Sequence, residues 1–287
     1  MGGMSLSDLV PVTIRVSIVL YVFALGLGAS VRDVAYLARN PGLLVRSLVS
    51  MNIIMPLFAT AVAVLFNLHP AIKIAIIALA LSPVPPALPN MQTKAGGTAS
   101  YAISMLTVLA LFAVVIVPAG VDLAGKTFTQ EIHMTAGAVM PIVLRTVLIP
   151  LVLGLMCRKV APSSAERVAR YVSAVATVLL IGGVVPLLFI EWPAMKSMIG
   201  SGAFWVLSLF TLVGLIVGHR LGGPVPENRT VLALATARRH PAVALAIANT
   251  DFPDEKAVLA VVCWHLIVGG ILSIPYVIWR KRKASNR

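Results

Sequence analysis

Five long stretches of the chain carry no charged side chain, at 47–72, 95–121, 171–190, 197–218 and 257–279. Each exceeds or approaches the roughly 20 helical residues that cross a hydrocarbon core. They are apolar on every side and lack period-two alternation, which argues for helices and against a membrane β-barrel. Only 11% of the 287 residues are charged and 59% are hydrophobic, whereas a soluble domain carries about 25% charge. The sequence therefore predicts an all-α membrane protein forming a single domain.

Nine segments are expected, at 10–29, 43–66, 71–95, 98–122, 136–157, 171–190, 199–219, 230–251 and 257–279. Arg32, Arg39, Arg46, Lys94, Arg158, Lys159, Arg167, Arg170, Arg220, Arg229 and the run 280–283 fall in alternate connections. The intervening connections hold Asp8, Asp122, Glu131, Glu191, Asp251, Asp254 and Glu255, with Lys126, Lys196 and Lys256 isolated among them. By the positive-inside rule the N-terminus lies outside and the C-terminus in the cytoplasm. The formal net charge of +13 thus reads as contact with anionic headgroups, not as a nucleic-acid surface. Residues 1–10 hold no Lys or Arg, so the first apolar stretch reads as a retained helix. Cys157 and Cys263 read as small buried residues.

Two segments contain breaks. In the third, Pro83, Pro85, Pro86 and Pro89 fall within seven residues. Proline removes a backbone donor, so a helix here orphans the carbonyls of Leu79, Leu81, Ser82 and Pro85. Asn90, Gln92 and Thr93 follow at once. In the eighth, Pro241 takes the partner from the Ala237 carbonyl, just after Arg238, Arg239 and His240. The two arginines lie about 12–14 Å from the cytoplasmic end of that segment. At the bilayer centre each costs about 2.5–3.5 kcal/mol, so they are expected to face a polar cavity. The competing reading has them snorkelling to the headgroups, and the third segment as a plain kink.

The broken segments are five apart. Five is odd, so units repeating at that interval have opposite orientation, and paired interrupted helices in inverted repeats point to a transporter binding site. The repeats are expected over 1–122, lacking a first helix, and 136–279. Other candidates are more ambiguous. Arg145 reads as cavity-facing or structural, and His265 as packing or functional. Thr98 is expected to cap a helix after Gly96-Gly97, and Asn228-Arg229-Thr230 is a sequon on the cytoplasmic side. No zinc-protease, nucleophile-elbow or Walker motif is present, so no enzyme is expected.

Several stretches resemble the bile acid:sodium symporter family. They are 26–58, GLGASVRDVAYLARNPGLLVRSLVSMNIIMPLF; the third segment with its continuation KAGGTASYAISM; 145–155, RTVLIPLVLGL; and 229–252, RTVLALATARRHPAVALAIANTDF, followed by Trp264-His265. The resemblance implies a panel and a core, with two crossing helices that hold sodium beside an organic anion. By that resemblance Asn90 matches the crossover asparagine. Ser104 matches a hydroxyl ligand, with Ser100 and Thr107 as neighbours. Pro89 stands at the family's serine and Pro85-Pro86 at its paired glycines. Ala235 or Thr236 stands where the family has an acidic sodium ligand, Arg239 at its glutamine and His240 at its asparagine.

Two arginines beside the break would repel a cation but suit a carboxylate or phosphate, which argues against inheritance of the sodium sites. The expectation is a carrier, in a bacterial-type inner membrane, that moves a small organic anion by alternating access. Asn90, Gln92, Thr93 and Ser100 would bind it on one side and Arg238, Arg239 and His240 on the other. Any residual ion coupling falls to Asn90, Ser104, Thr107, Thr236 and His240, the last by proton exchange unless it is neutral and structural. No cofactor is expected, and a monomer suffices. The rival readings are a membrane sensor that binds without flux, and a sodium-independent uniporter or metalloid exporter.

Overall fold

A computed structural model describes residues 6–128, 136–252 and 254–285. Among them every regular element is a helix. Eight stretches are long and apolar enough to cross a membrane. The helices are α1 (Leu6–Gly28), α2 (Val31–Val34), α3 (Pro41–Leu48), α4 (Met55–Leu65), α5 (Pro70–Leu81), α6 (Leu88–Lys94), α7 (Ala99–Phe128) and α8 (Ala136–Val143). They continue as α9 (Ile149–Val160), α10 (Pro162–Ile190), α11 (Trp192–Ser197), α12 (Ala203–Leu221), α13 (Pro226–Ala237), α14 (Pro241–Asp251) and α15 (Ala257–Ser285).

Both expected breaks are present. Helix α5 stops at Leu81 because Ser82, which precedes Pro83, takes the extended conformation that a following proline imposes (ψ 148°). The chain resumes as α6 six residues later. Helix α5 alone is too short to span, so this segment is not among the eight. Helix α13 ends at Ala237, Arg238–His240 are extended, and Pro241 opens α14 at its first position, where a missing N–H is harmless.

Two further irregularities had a proline signal that the sequence reading passed over. A π-helical turn at Val49–Ile54 joins α3 to α4, and another at Leu144–Leu148 joins α8 to α9. Each runs into a proline two residues later, Pro56 and Pro150. A ring without an N–H clashes with the carbonyl four residues back, and slipping into i→i+5 register relieves it. The sixth segment also begins earlier than expected, at Pro162 and not 171. The polar stretch 163–170 is the helix's exposed first turns, not a connection.

The packing separates buried from peripheral helices. The stretch 226–250 is the most buried of the eight candidate spans, and 162–190 is the least. Helix α1 packs on α9 and α10, and its approach to α9 is glycine on glycine. A β-carbon on Gly154 would stand 2.4 Å from the Phe23 carbonyl oxygen and 2.8 Å from Gly26 Cα. Such small-residue contacts let membrane helices meet backbone to backbone. Helix α5 packs on α4, α14 and α15, and α12 packs on α13 and α15. Cys263 is buried as expected, but Cys157 is exposed on the outer face of α9.

Candidate functional site

The two breaks touch. The His240 N–H donates to the Pro83 carbonyl (3.0 Å). Arg239 is 1% exposed, one of the largest side chains shut away entirely. Its Nη1 donates to the Ser82 carbonyl (3.1 Å) and its Nη2 to the Met51 carbonyl (2.8 Å). Both oxygens have lost a backbone partner to proline. Ser82 would bond to residue 86, which is Pro86. Met51, in the π turn, would bond to Pro56, and the Met55 N–H is already given to Ser50.

Three of the carbonyls orphaned at the first break find partners within the fold. Leu79 accepts from the Ser82 hydroxyl (2.8 Å) and amide (3.1 Å), and Pro85 from the Leu88 amide (3.0 Å). Ser82 accepts from Arg239. These oxygens are satisfied within the protein, as buried backbone requires, and are not free to line a cavity. Nor does Arg239 snorkel to a headgroup. The sequence offers it to an anion, but both terminal nitrogens are committed to the protein and only Nε lacks a partner.

Arg238 is placed differently. It is half-buried, and its Nη1 is enclosed with no hydrogen-bond partner. It runs along α15 where Gly269 and Gly270 leave room. A β-carbon at Gly269 would stand 3.6 Å from Arg238 Cδ, 3.6 Å from His265 Cε1 and 3.7 Å from Thr211 Oγ1. His265 and His240 are buried and all four of their ring nitrogens lack partners, as does the Ser208 hydroxyl. No carboxylate among the described residues acts on either arginine. Arg238, His265 and Thr211 therefore converge on a buried, donor-rich, acid-free locus. Thr211 carries no signal in the sequence because it lies on α12, and only packing brings it beside Arg238 and His265.

The other named residues are dispersed. Asn90 is half-buried and donates to Ser173 on α10 (3.0 Å). Gln92 is fully buried and donates to the Val231 carbonyl on α13 (2.8 Å), leaving Oε1 without a partner. Thr93 is exposed and its hydroxyl returns to the Pro89 carbonyl. Thr236 pairs with Ser50 (2.7 Å), and Thr107 bonds to the Ile103 carbonyl. Arg145 is exposed, in the second π turn. The Thr98 hydroxyl donates to Asn228, whose burial leaves the sequon no surface position. Glu131 lies outside the described residues, as does His133, which the sequence places near an outer boundary in contact with solvent.

Ser100 and Ser104 anchor the turn before α3 onto α7. Ser104 accepts from the Leu37 amide and donates to the Val34 carbonyl. Ser100 donates to Asp33, which also completes a capping box with Ser30. Partial burial pushes the Asp33 carboxyl up. The hydroxyls of Ser100 and Ser30, the Ser30 amide and the Arg158 charge outweigh it and hold the group below its usual range. A depressed carboxylate stabilises the fold above the unfolded-state pKa, about 3.9 for Asp, and that contribution fades as pH falls through the folded value. Melting followed from pH 6 to pH 3 should show a loss in the wild type that is smaller in Asp33→Asn.

Broken helices stabilised by side chains, packed with helices long enough to span, make this a multi-pass helical membrane protein. The family model described as the Sodium Bile acid symporter family matches residues 15–195, nearly two thirds of the chain. The chain belongs to the sodium bile acid symporter family. The match covers the first break and stops before α12, so the arginine-bearing break lies beyond it. No curated protein matches the chain.

Proposed function

We propose that the protein is a carrier for a small organic anion, working by alternating access, with Arg238 as the residue that binds the anionic group. The observation that carries this reading is the Arg238 Nη1, enclosed without a partner and without a neighbouring acid. A buried guanidinium edge left unpaired is costly, and a carboxylate or sulfonate satisfies it with charge-assisted bonds. His265 and Thr211 supply the rest of that wall. Asn90 and Thr93 are the exposed or half-exposed polar groups at the first break.

In this reading α5 with α6 makes a ninth crossing, and the two breaks are counterparts in inverted repeats spanning 1–122 and 136–279. Helices α1, α9 and α10 form the panel and the remaining spans the core. The N-terminus lies outside and the C-terminus in the cytoplasm of a bacterial-type inner membrane. Sodium coupling is not carried over, since Ala235 and Thr236 stand at the acidic position and Thr236 is spent on Ser50.

Binding is tested by melting the purified protein with carboxylates, sulfonates and phosphates and with their neutral amides or esters. Stabilisation by an anion but not by its neutral analogue is expected, and equal response to both would count against the reading. The Asn90–Ser173 bond joins core to panel part-way along α10. A disulfide between Asn90→Cys and Ser173→Cys, with Cys157 and Cys263 replaced, should stop flux and release it on reduction. Undiminished flux in the cross-linked protein would show that this contact does not gate.

A further inference from the structure

Sodium is the cation that the family's name implies, and the residues at the meeting of the breaks do not fit it. A sodium site in a broken-helix carrier is built from unwound carbonyls and half-helix C-terminal ends. Here the Ser82 carbonyl, at the C-terminal end of α5, and the Met51 carbonyl, in the π turn, both hold Arg239. The Pro83 carbonyl accepts the His240 amide, and the Ser50 and Thr236 hydroxyls bond each other. Of the unpartnered buried atoms on these segments, Asn52 Nδ2 and Arg239 Nε are donors, and the neutral His240 ring offers one donor and one acceptor nitrogen, no carboxylate. Among the described residues no cluster of three His, Cys, Asp or Glu stands ready for a metal ion.

We infer that Arg239 is a tethered cation. Its guanidinium occupies the position between proline-orphaned carbonyls where a free monovalent cation would otherwise join the two broken helices. Three points support this. The acceptors come from two separate elements, so the guanidinium clamps α5 to the π turn while its own backbone belongs to the second break. Each acceptor has lost its backbone partner to a proline, so the cation is needed in every molecule. Arg239 is also fully enclosed, and among the described residues no acid acts on it, so carbonyl dipoles face its charge. A cation that cannot dissociate joins the helices permanently and cannot respond to a sodium gradient. The inference rests on reading the breaks as a carrier core, but its test requires no flux and so can fail separately from the anion reading.

The experiment is thermal melting in detergent at fixed ionic strength, in choline, sodium, potassium or methylguanidinium chloride. Wild-type protein should melt identically in sodium and choline. Arg239→Ala should melt roughly 5–15 °C lower, because two buried carbonyls lose their donor. Methylguanidinium or a small alkali cation should recover part of that fall, while choline should not. Arg239→Lys should lie between wild type and Arg239→Ala and remain indifferent to sodium. Stabilisation of the wild type by sodium over choline would overturn the inference, as would an unchanged melt for Arg239→Ala. A fall that no cation relieves would make Arg239 an ordinary structural bridge and also overturn it. If Arg239→Ala yields no folded protein, the wild-type and Arg239→Lys comparisons decide the matter by the same criterion.

Discussion

Arg238→Ala should weaken binding of the transported anion by roughly 10–100-fold with little change in melting temperature. The magnitude follows from losing one charge-assisted hydrogen bond, about 1.5–3 kcal/mol. The small stability effect follows from the enclosed Nη1, which makes no hydrogen bond that the fold would miss. Removing an unsatisfied buried cation also relieves a desolvation cost. Arg238→Lys should recover part of the affinity, since it keeps the charge but loses the planar fork. Calorimetric titration of the purified variants measures both. Arg239 variants should show the opposite pattern, with lost stability outweighing lost affinity.

Gly218→Leu should abolish recovery of folded protein, the largest structural effect expected outside the breaks. A β-carbon at Gly218 would lie 2.5 Å from the Leu232 carbonyl oxygen and 2.6 Å from Ala233 Cα. At Gly214, four residues earlier, it would lie 2.8 Å from Ala237 Cα and 3.0 Å from the Thr236 carbonyl oxygen. Both glycines let α12 lie backbone to backbone on α13, whose residues 230–237 are all buried. The obstacles are main chain and cannot rotate away. Overpacking of a core usually costs about 1–3 kcal/mol, and a branched side chain against a backbone should exceed that. Size-exclusion chromatography reports the outcome, and a monodisperse Gly218→Leu with the wild-type melting temperature would refute the packing described here. Gly182 is the matched control, because nothing stands within 4 Å of its β-carbon position.

The spans were legible because apolar length and charge alternation are local signals. The breaks were legible because proline acts on the carbonyl four residues before it. The destination of each orphaned carbonyl was not, because the Ser82–Arg239 bond joins residues 157 positions apart. A charge in a buried segment announces that it has partners without saying whether they are ligand or backbone. Arg238 and Arg239 are adjacent and identical in type. The extended chain at 238–240 turns them to opposite sides, one into the fold and one along Gly269 and Gly270. His265, which sequence alone left open between packing and function, meets Arg238 because those glycines bring α15 close. The start of α10 was missed for the opposite reason, since charged residues in a helix's exposed first turns look like a connection.

Counterflow in proteoliposomes decides whether this acid-free centre serves a carrier. Purified protein is reconstituted with a stabilising anion inside, and uptake of the labelled anion is followed in sodium-free choline medium. Saturable exchange is expected, persisting without sodium and falling sharply in Arg238→Ala. Binding of the anion with no exchange in any ionic medium would instead make the protein a sensor on a transporter fold, and would contradict the account.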